Sequence, residues 1–423
     1  MARHGVWGMV IATMTVAAGG ETDLEHPARL VEGLPTAALS ERDTSRWMAG
    51  KALFERVFER GQGLGPRFNA TSCVACHESP TKGGAGGLEH NVGGVRPDGT
   101  LALGYSWRGG RTASEPPKTL ADIREGLATM EPEVRELALA RLPPEQRKEL
   151  LGSGHLAVGL QTPSLFGLGW LETVHETEIL AREDPEDRDG DGVRGVARRI
   201  DTGGGREEIG RFGWRAQAPT MTDFVRVACG GELGLTVPAD TRGFGIERDR
   251  DAVADPELAF HELEDLVFYC RDLAPPPRAG RADDPTVVRG EVLFEEVGCA
   301  ACHVPSLQGR YGAVHAYTDL LLHRVNVAAT DTRSAFDPSR VAGRHASRDV
   351  RRSAPQIAEE DIAFRTPPLW GISRTGPYLH HGGAETLEQA ILAHAGEALR
   401  SRMAWRRLDP EQQEALLAFL ADL

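Results

Sequence analysis

The chain has 423 residues, a charged fraction of 26% and a net charge of −14. That length allows two or three domains with cores of their own, and the acidic balance argues against nucleic acid, whose phosphates call for clustered Lys and Arg. With 49 Gly and 26 Pro, long loops are expected between the regular elements.

Residues 1–20, MARHGVWGMVIATMTVAAGG, place Arg3 ahead of an apolar run from Val6 to Ala18 that ends in small residues. This is the layout of a secretory signal peptide, and the run is too short to span a bilayer. An exported, periplasmic protein is expected, with no membrane span. GKALFERVF (50–58) reads as an amphipathic helix feeding CVACH at 73–77. A CxxCH sets two thiols one turn apart, so that both can form thioethers with one haem while the adjoining imidazole reaches the iron. Zinc would want four grouped ligands, and a thiol redox pair has no use for the histidine. Cys73, Cys76 and His77 are therefore expected to hold a covalently bound haem c. Further on, Leu120, Ile123, Leu127 and Met130 share one helical face.

TPSLFG (162–167) and EILA (178–181) lead into DPEDRDGDGVRG (184–195), where Asp187, Asp189 and Asp191 precede Gly192. Alternating carboxylates before a glycine turn suit calcium, although Arg198 stands where an EF-hand needs its glutamate; the plainer reading is an acidic surface turn. Cys229 and Cys270 lie outside the haem motifs. In an oxidising compartment they form a disulfide, or else they are two separate buried thiols. APPPRAGRADDP (274–285) reads as a linker.

Beyond it, GEVLFEEVG (290–298) feeds CAACH at 299–303, so Cys299, Cys302 and His303 are expected to hold a second haem c. TPPLWG (366–371) precedes GPYLHHGGAETLEQAILAHAGEA (376–398). Thr386 with Gln389 forms a capping box, which starts a helix near Leu387 and sets His394 on one face with Leu387 and Ile391. His394 is the expected sixth ligand of this haem. LDPEQQEALLAFLADL closes the chain as a helix capped by Asp409 with Pro410 first.

Four landmarks recur in the same order: G-x-x-L-F-E-x-V, CxxCH, TPSLFG with TPPLWG, and EILA with AILA (390–393). The expected fold is mostly α, with two cytochrome c-like haem domains, long irregular loops and internal duplication. Its parts are a signal peptide (1–20), an N-terminal haem domain with inserted loops (40–273), a linker (274–285) and a C-terminal cytochrome c domain (286–423). Aligning EILA with AILA puts Arg182 where His394 stands; arginine cannot ligate iron, so the two sites are expected to differ.

The run TPPLWG…PYLHHGGAETLEQAILAH after CAACH resembles the di-haem oxidoreductase family, a branch sometimes labelled thiol oxidoreductases and related to bacterial di-haem cytochrome c peroxidases. GLGPRFNATSCVACH, GLGWLE, DRDGDGVRG, GRFGWRA and YTDLLLH strengthen the resemblance, which covers nearly all of the chain beyond residue 20. In the peroxidases a histidine in PY-x-H-x-G, here His380, is followed fourteen residues later by a methionine ligand; His394 stands at that place. A histidine there keeps the iron six-coordinate and lowers its potential. The resemblance also implies a carboxylate that moves a proton between the peroxide oxygens, with Glu172 of GLGWLE first, then Glu176 and Glu178. It further implies a displaceable loop histidine (His90 in GGLEHNV, otherwise a solvated residue), an aromatic relay between the haems (Trp170 or Trp214), and calcium between the domains. The function it implies is a periplasmic peroxidase reducing hydrogen peroxide with electrons from a small redox protein. The alternatives are a non-catalytic electron-transfer cytochrome and an oxidase acting on thiols or on a protein-bound precursor.

Overall fold

A computed structural model describes residues 33–36, 39–65, 68, 70–87, 92–95, 156–203, 205–240, 242–249, 251–325, 363–380 and 382–423. The signal-peptide segment, His90 and the face formed by residues 120–130 lie outside the described residues. The chain is mostly α. Its helices are α1 (Glu41–Glu55), α2 (Leu168–Glu172), α3 (Glu176–Leu180), α4 (Met221–Ala228), α5 (Phe260–Arg271), α6 (Pro285–Glu296), α7 (Leu387–Ala393), α8 (Leu399–Trp405) and α9 (Pro410–Asp422). Among the described residues the strands form four separate antiparallel ribbons: β1 (Val92–Val95) with β2 (Leu156–Leu160), β3 (Arg199–Asp201) with β4 (Glu207–Ile209), β5 (Leu307–Gly309) with β6 (Gly312–Val314), and β7 (Leu322–His323) with β8 (Phe364–Arg365).

Helix starts follow their capping chemistry. Ser40 accepts from the Asp43 amide at 3.1 Å ahead of α1, and Thr386 from that of Gln389 at 3.1 Å ahead of α7. Asp409 accepts from the Gln412 amide at 2.9 Å, with Pro410 at the first position of α9. The capping-box expectation for 386–389 therefore gives the right helix start, and the helix ends one residue before His394.

Two helix pairs carry the framework, α1 on α5 and α6 on α9. Each crosses through a glycine. A Cβ on Gly50 would sit 2.0 Å from the carbonyl oxygen of Asp265 and 2.8 Å from the Tyr269 Cβ. A Cβ on Gly290 would sit 2.0 Å from the carbonyl oxygen of Ala415 and 2.7 Å from the Phe419 Cβ. Four residues after each glycine a phenylalanine enters the gap: Phe54 lies 5.1 Å from Tyr269 and Phe294 lies 5.4 Å from Phe419, ring centre to ring centre. The G-x-x-L-F pattern thus encodes backbone contact followed by an aromatic plug.

Two apolar clusters result. One is centred on Phe54, Phe166, Met221, Leu263 and Tyr269, the other on Phe294, Trp405, Leu416 and Phe419. The first also takes in Leu307, Val314 and Leu320, so packing runs across the 274–285 segment. That segment is itself anchored: Arg278 Nε pairs with Asp422 at 2.7 Å, and the Ala279 amide donates to the Asp422 carbonyl at 2.8 Å.

Because Gly290 touches backbone that cannot move aside, Gly290→Ala is expected to cost about 1–3 kcal/mol or more. Gly61→Ala, which meets nothing within 4 Å, should stay within about 0.5 kcal/mol of the parent. Urea unfolding of both variants checks this; equal midpoints would refute the close crossing.

Candidate functional site

Each CxxCH lies on the wall of a deep apolar cavity: Cys73, Cys76 and His77 on the first, Cys299, Cys302 and His303 on the second. The two motifs turn alike, since the amide of His77 donates to the Cys73 carbonyl at 3.1 Å and that of His303 to the Cys299 carbonyl at 2.9 Å. His77 Nδ1 lies 3.0 Å from the Gly84 carbonyl, and His303 Nδ1 lies 2.9 Å from that of Tyr317. A carbonyl only accepts, so Nδ1 carries the proton and Nε2 keeps its lone pair for a metal. Phe54 and Phe294 stand beside these imidazoles, 6.1 and 6.5 Å between ring centres. Two thiols and one oriented imidazole on an apolar wall fit a c-type haem in both cavities.

Across the second cavity stands His394, at the C-terminal end of α7, its Nδ1 2.7 Å from the Ala390 carbonyl. By the same logic its Nε2 is available. Burial lowers the pKa of His394 and takes that of His303 down to about 4, so both rings are neutral, as ligation needs. His380 is also on this wall, stacked on Phe364 at 3.8 Å.

The first cavity is closed differently. Part of its wall is α4 and the π-helical turn that extends it, Cys229–Leu233, which contribute Met221, Phe224, Val225 and Glu232. Gln217, Gln161 and Trp214 complete it. Glu232 is the one charged side chain among the described lining residues. The sequence reading missed it, although a carboxylate directly after Gly230 and Gly231, at the end of a helix, was the available signal.

Several sequence expectations are corrected. Glu172 lines neither cavity: its carboxylate accepts from the Met221 amide at 2.8 Å and pairs with Arg271 Nε at 2.5 Å, which ties α2 to the start of α4 and to α5. Arg182 does not stand opposite His77 either, since its guanidinium pairs with Glu178 at 2.7 Å. EILA and AILA match in sequence but not in their place beside a cavity. Glu176 lies 3.9 Å from Arg211 and is likewise off both walls. Of the two readings left open for Cys229 and Cys270, the structure has the second: both are buried free thiols, and both line the first cavity. Burial pushes Cys229 up to about 12 and Cys270 well above its ordinary value, which keeps both protonated and poorly nucleophilic. Trp170 is on neither wall. Trp214 is on both, and its Nε1 donates to the Gln161 carbonyl at 2.8 Å.

Beside the second cavity, His323 is held between Asp319 (Nε2 to Oδ2, 2.7 Å) and Glu397 (Nδ1 to Oε2, 2.9 Å). Burial opposes its charge, but hydrogen bonds to Asp319, Cys302 and Glu397 outweigh that and hold its pKa well above the usual range. Glu397 also accepts from the Arg194 amide at 2.8 Å, which fastens the 184–195 loop to this side. In that loop the carboxylates of Asp187, Asp189 and Asp191 gather within 4.8 Å of one another.

The sequence model of the family described as "Di-haem oxidoreductase, putative peroxidase" matches residues 150–423. The chain belongs to this family. It is 27% identical over 187 residues to the methylamine utilization protein MauG of Paracoccus denitrificans, a match covering 41% of this chain and 46% of that protein. The chain therefore spans less than half the length of that curated relative. Among solved structures, a MauG-like protein associated with microbial copper homeostasis is 17% identical, with 93% of both chains covered and a TM-score of 0.41. A variant of the diheme peroxidase BthA from Burkholderia thailandensis is 17% identical, with 93% of this chain and 88% of that one covered and a TM-score of 0.40. No helix among the described residues is long and apolar enough to cross a membrane.

The Glu172–Arg271 pair is partly solvated, so its loss should be felt as modest destabilisation and not as lost chemistry. Glu172→Ala is expected to cost about 1 kcal/mol and to leave the haem absorption bands in place. A Glu172→Ala protein of parental stability with altered bands would return this residue to the site.

Proposed function

We propose that the chain is an exported, periplasmic di-haem c-type oxidoreductase that reduces hydrogen peroxide at the His77 site. Electrons enter from a small redox protein through the His303 site. The observation that carries this reading is the contrast between the two walls: a second imidazole, the half-buried His394, shares the second cavity with His303, whereas the first presents a carboxylate and amides beside His77. Cys73 with Cys76, and Cys299 with Cys302, would hold the two haems by thioethers. The bound iron supplies the one-electron couples that reduction of peroxide to two waters needs.

Within the first cavity Glu232 takes the proton from one peroxide oxygen and returns it to the other, the transfer that lets the O–O bond part without a free hydroxide. Gln217 and Gln161 offer amide groups that orient the peroxide, while Phe224, Val225 and Leu233 keep bulk water out. Trp214, bordering both cavities, carries electrons between them. The repeated glycine crossing and histidine–carbonyl bond support an internal duplication, with residues 40–273 and 286–423 as related haem domains joined by 274–285. Asp187, Asp189 and Asp191 are assigned to calcium, which would brace the loop that Glu397 and Arg400 fasten to the second half.

A second reading, a purely electron-transferring cytochrome, rests on Met221, fully buried on the wall of the first cavity. Its thioether, bound across from His77, would close that site.

Two variants separate these readings. Glu232→Gln is expected to slow peroxide turnover about 10²–10⁴-fold with both haems retained, as seen by stopped-flow spectroscopy. Met221→Leu should leave the low-temperature ferric spectrum, including a high-spin component, unchanged. Turnover untouched in Glu232→Gln, or a low-spin first haem that turns high-spin in Met221→Leu, would overturn the peroxidase assignment.

A further inference from the structure

Arg365 is the buried charge that the reading above does not use. It ends β8, is 5% exposed and lines the second cavity. Its Nε donates to the Gly213 carbonyl at 3.1 Å and its Nη1 to the Thr366 carbonyl at 3.0 Å, while its own amide donates to the Trp214 carbonyl at 2.8 Å. Side chain and backbone of one residue thus hold the carbonyls on both sides of Trp214, which borders both cavities.

Among the described residues no carboxylate lies within ion-pairing distance of the Arg365 guanidinium. Asp319, the acid that acts on it through space, is committed elsewhere, with Oδ2 on His323 and Oδ1 accepting from the Leu321 amide at 2.9 Å. Two carbonyls satisfy hydrogen-bond geometry but do not cancel a charge, and a buried unpaired cation is costly. Burial accordingly pushes Arg365 down to about 10. The cavity that Arg365 lines is the one where a haem c would be tethered at Cys299 and Cys302. A tethered haem brings two propionates on the edge remote from its thioethers. In the β7–β8 ribbon His323, against Cys302 at 3.6 Å, pairs with Phe364 on one face, and Arg365 pairs with Leu322 on the other, so Arg365 does not share the face that meets the Cys302 thiol.

We propose that Arg365 is the counter-ion of a haem propionate in the second cavity, so that one residue fixes both the carboxylate edge of that haem and the peptide of Trp214. This rests on the reading that the cavity holds a haem c. The pairing is charge-assisted and suited to the planar fork of arginine. It also tunes the iron: a cation held near the macrocycle favours the ferrous state, and removing it leaves a propionate charge that favours the ferric one.

The test uses the full-length protein with its haems attached, counted by the pyridine haemochrome assay, and compares parent, Arg365→Gln and Arg365→Lys by spectropotentiometry and resonance Raman. Arg365→Gln should keep two haems. At the parental midpoint its ferrous-to-ferric ratio at the His303 haem should fall about tenfold, 59 mV for one electron, with a shifted propionate-bending band. Arg365→Lys should recover most of the potential but not the band, because an ammonium cannot pair bidentately. A midpoint within twofold of the parental ratio and an unshifted band in Arg365→Gln overturn the proposal. So does a fall of equal size in both variants with no change in the band, which marks a packing role. If Arg365→Gln does not accumulate, the band of Arg365→Lys decides: shifted supports, unshifted overturns. A single haem in the unsubstituted protein refutes the cofactor reading itself, an outcome distinct from the failure of the arginine.

Discussion

Everything at the two cavities depends on how closely two helix backbones approach. At Gly50 and at Gly290 the neighbouring helix presents a carbonyl oxygen where any Cβ would be, 2.0 Å away in both cases. Contact at that distance removes a layer of side chains from the crossing, and the phenylalanine one turn later fills the wedge that opens beyond it. Phe54 and Phe294 then abut the imidazoles of His77 and His303. An imidazole backed by an aromatic ring and tied through Nδ1 to a carbonyl has little freedom left, which is what a metal ligand requires before the metal arrives. The proximal side of each site is therefore a consequence of helix packing more than of the CxxCH itself.

The distal sides share no such constraint, and there the halves diverge. In the second, a short helix started by Thr386 ends just in time to present His394. In the first, α4 is prolonged by a π-helical turn, and Cys229 and Glu232 of that turn lie on the cavity wall. Between them runs a seam of interlocked residues. The amide of Gln161 donates to the His380 carbonyl at 2.8 Å, the Gln161 carbonyl takes the Trp214 indole, and Arg365 holds the Trp214 peptide. Displacing any one of them shifts groups on both walls.

This division explains what the sequence could and could not tell. Features set by local geometry were legible: the CxxCH turns, the caps at Thr386 and Asp409, and the G-x-x-L-F helices, whereas His394 sits in extended backbone just past the helix that its spacing was expected to carry it on. Roles set by tertiary placement were not. EILA and AILA are alike as letters, yet α3 packs beside β5 while α7 faces a cavity, so Arg182 was put opposite a histidine it never meets. Glu172 follows a motif that adjoins the first cavity, but its side chain turns to the start of α4 and to Arg271. Glu232 depends on an i→i+5 turn that no periodicity announces. Arg365 stood in plain view in RTPPLWG, but its lack of a counter-ion is visible only once the fold shows which carboxylates are already engaged.

The charges around the cavities complete the contrast. The described lining of the first holds a single charged group, the acid Glu232, whereas the second is lined by Arg365 and Arg402 together with His323 and the acid Glu397, which are hydrogen-bonded to each other, with Asp319 on the other side of His323. In a low-dielectric interior such groups act over several ångströms with little screening. Cations at the second site favour the less positive oxidation state of an iron, and an anion at the first favours the more positive ones. On the proposed function this polarity has a purpose. On that proposal, an imidazole from His394 on the iron would lower its potential, and the cations beside it would push that potential back up. The gradient that directs electrons towards the first site then need not come from the axial ligand alone: it is shared with side chains on β7, β8 and α8, which can vary without disturbing either helix crossing.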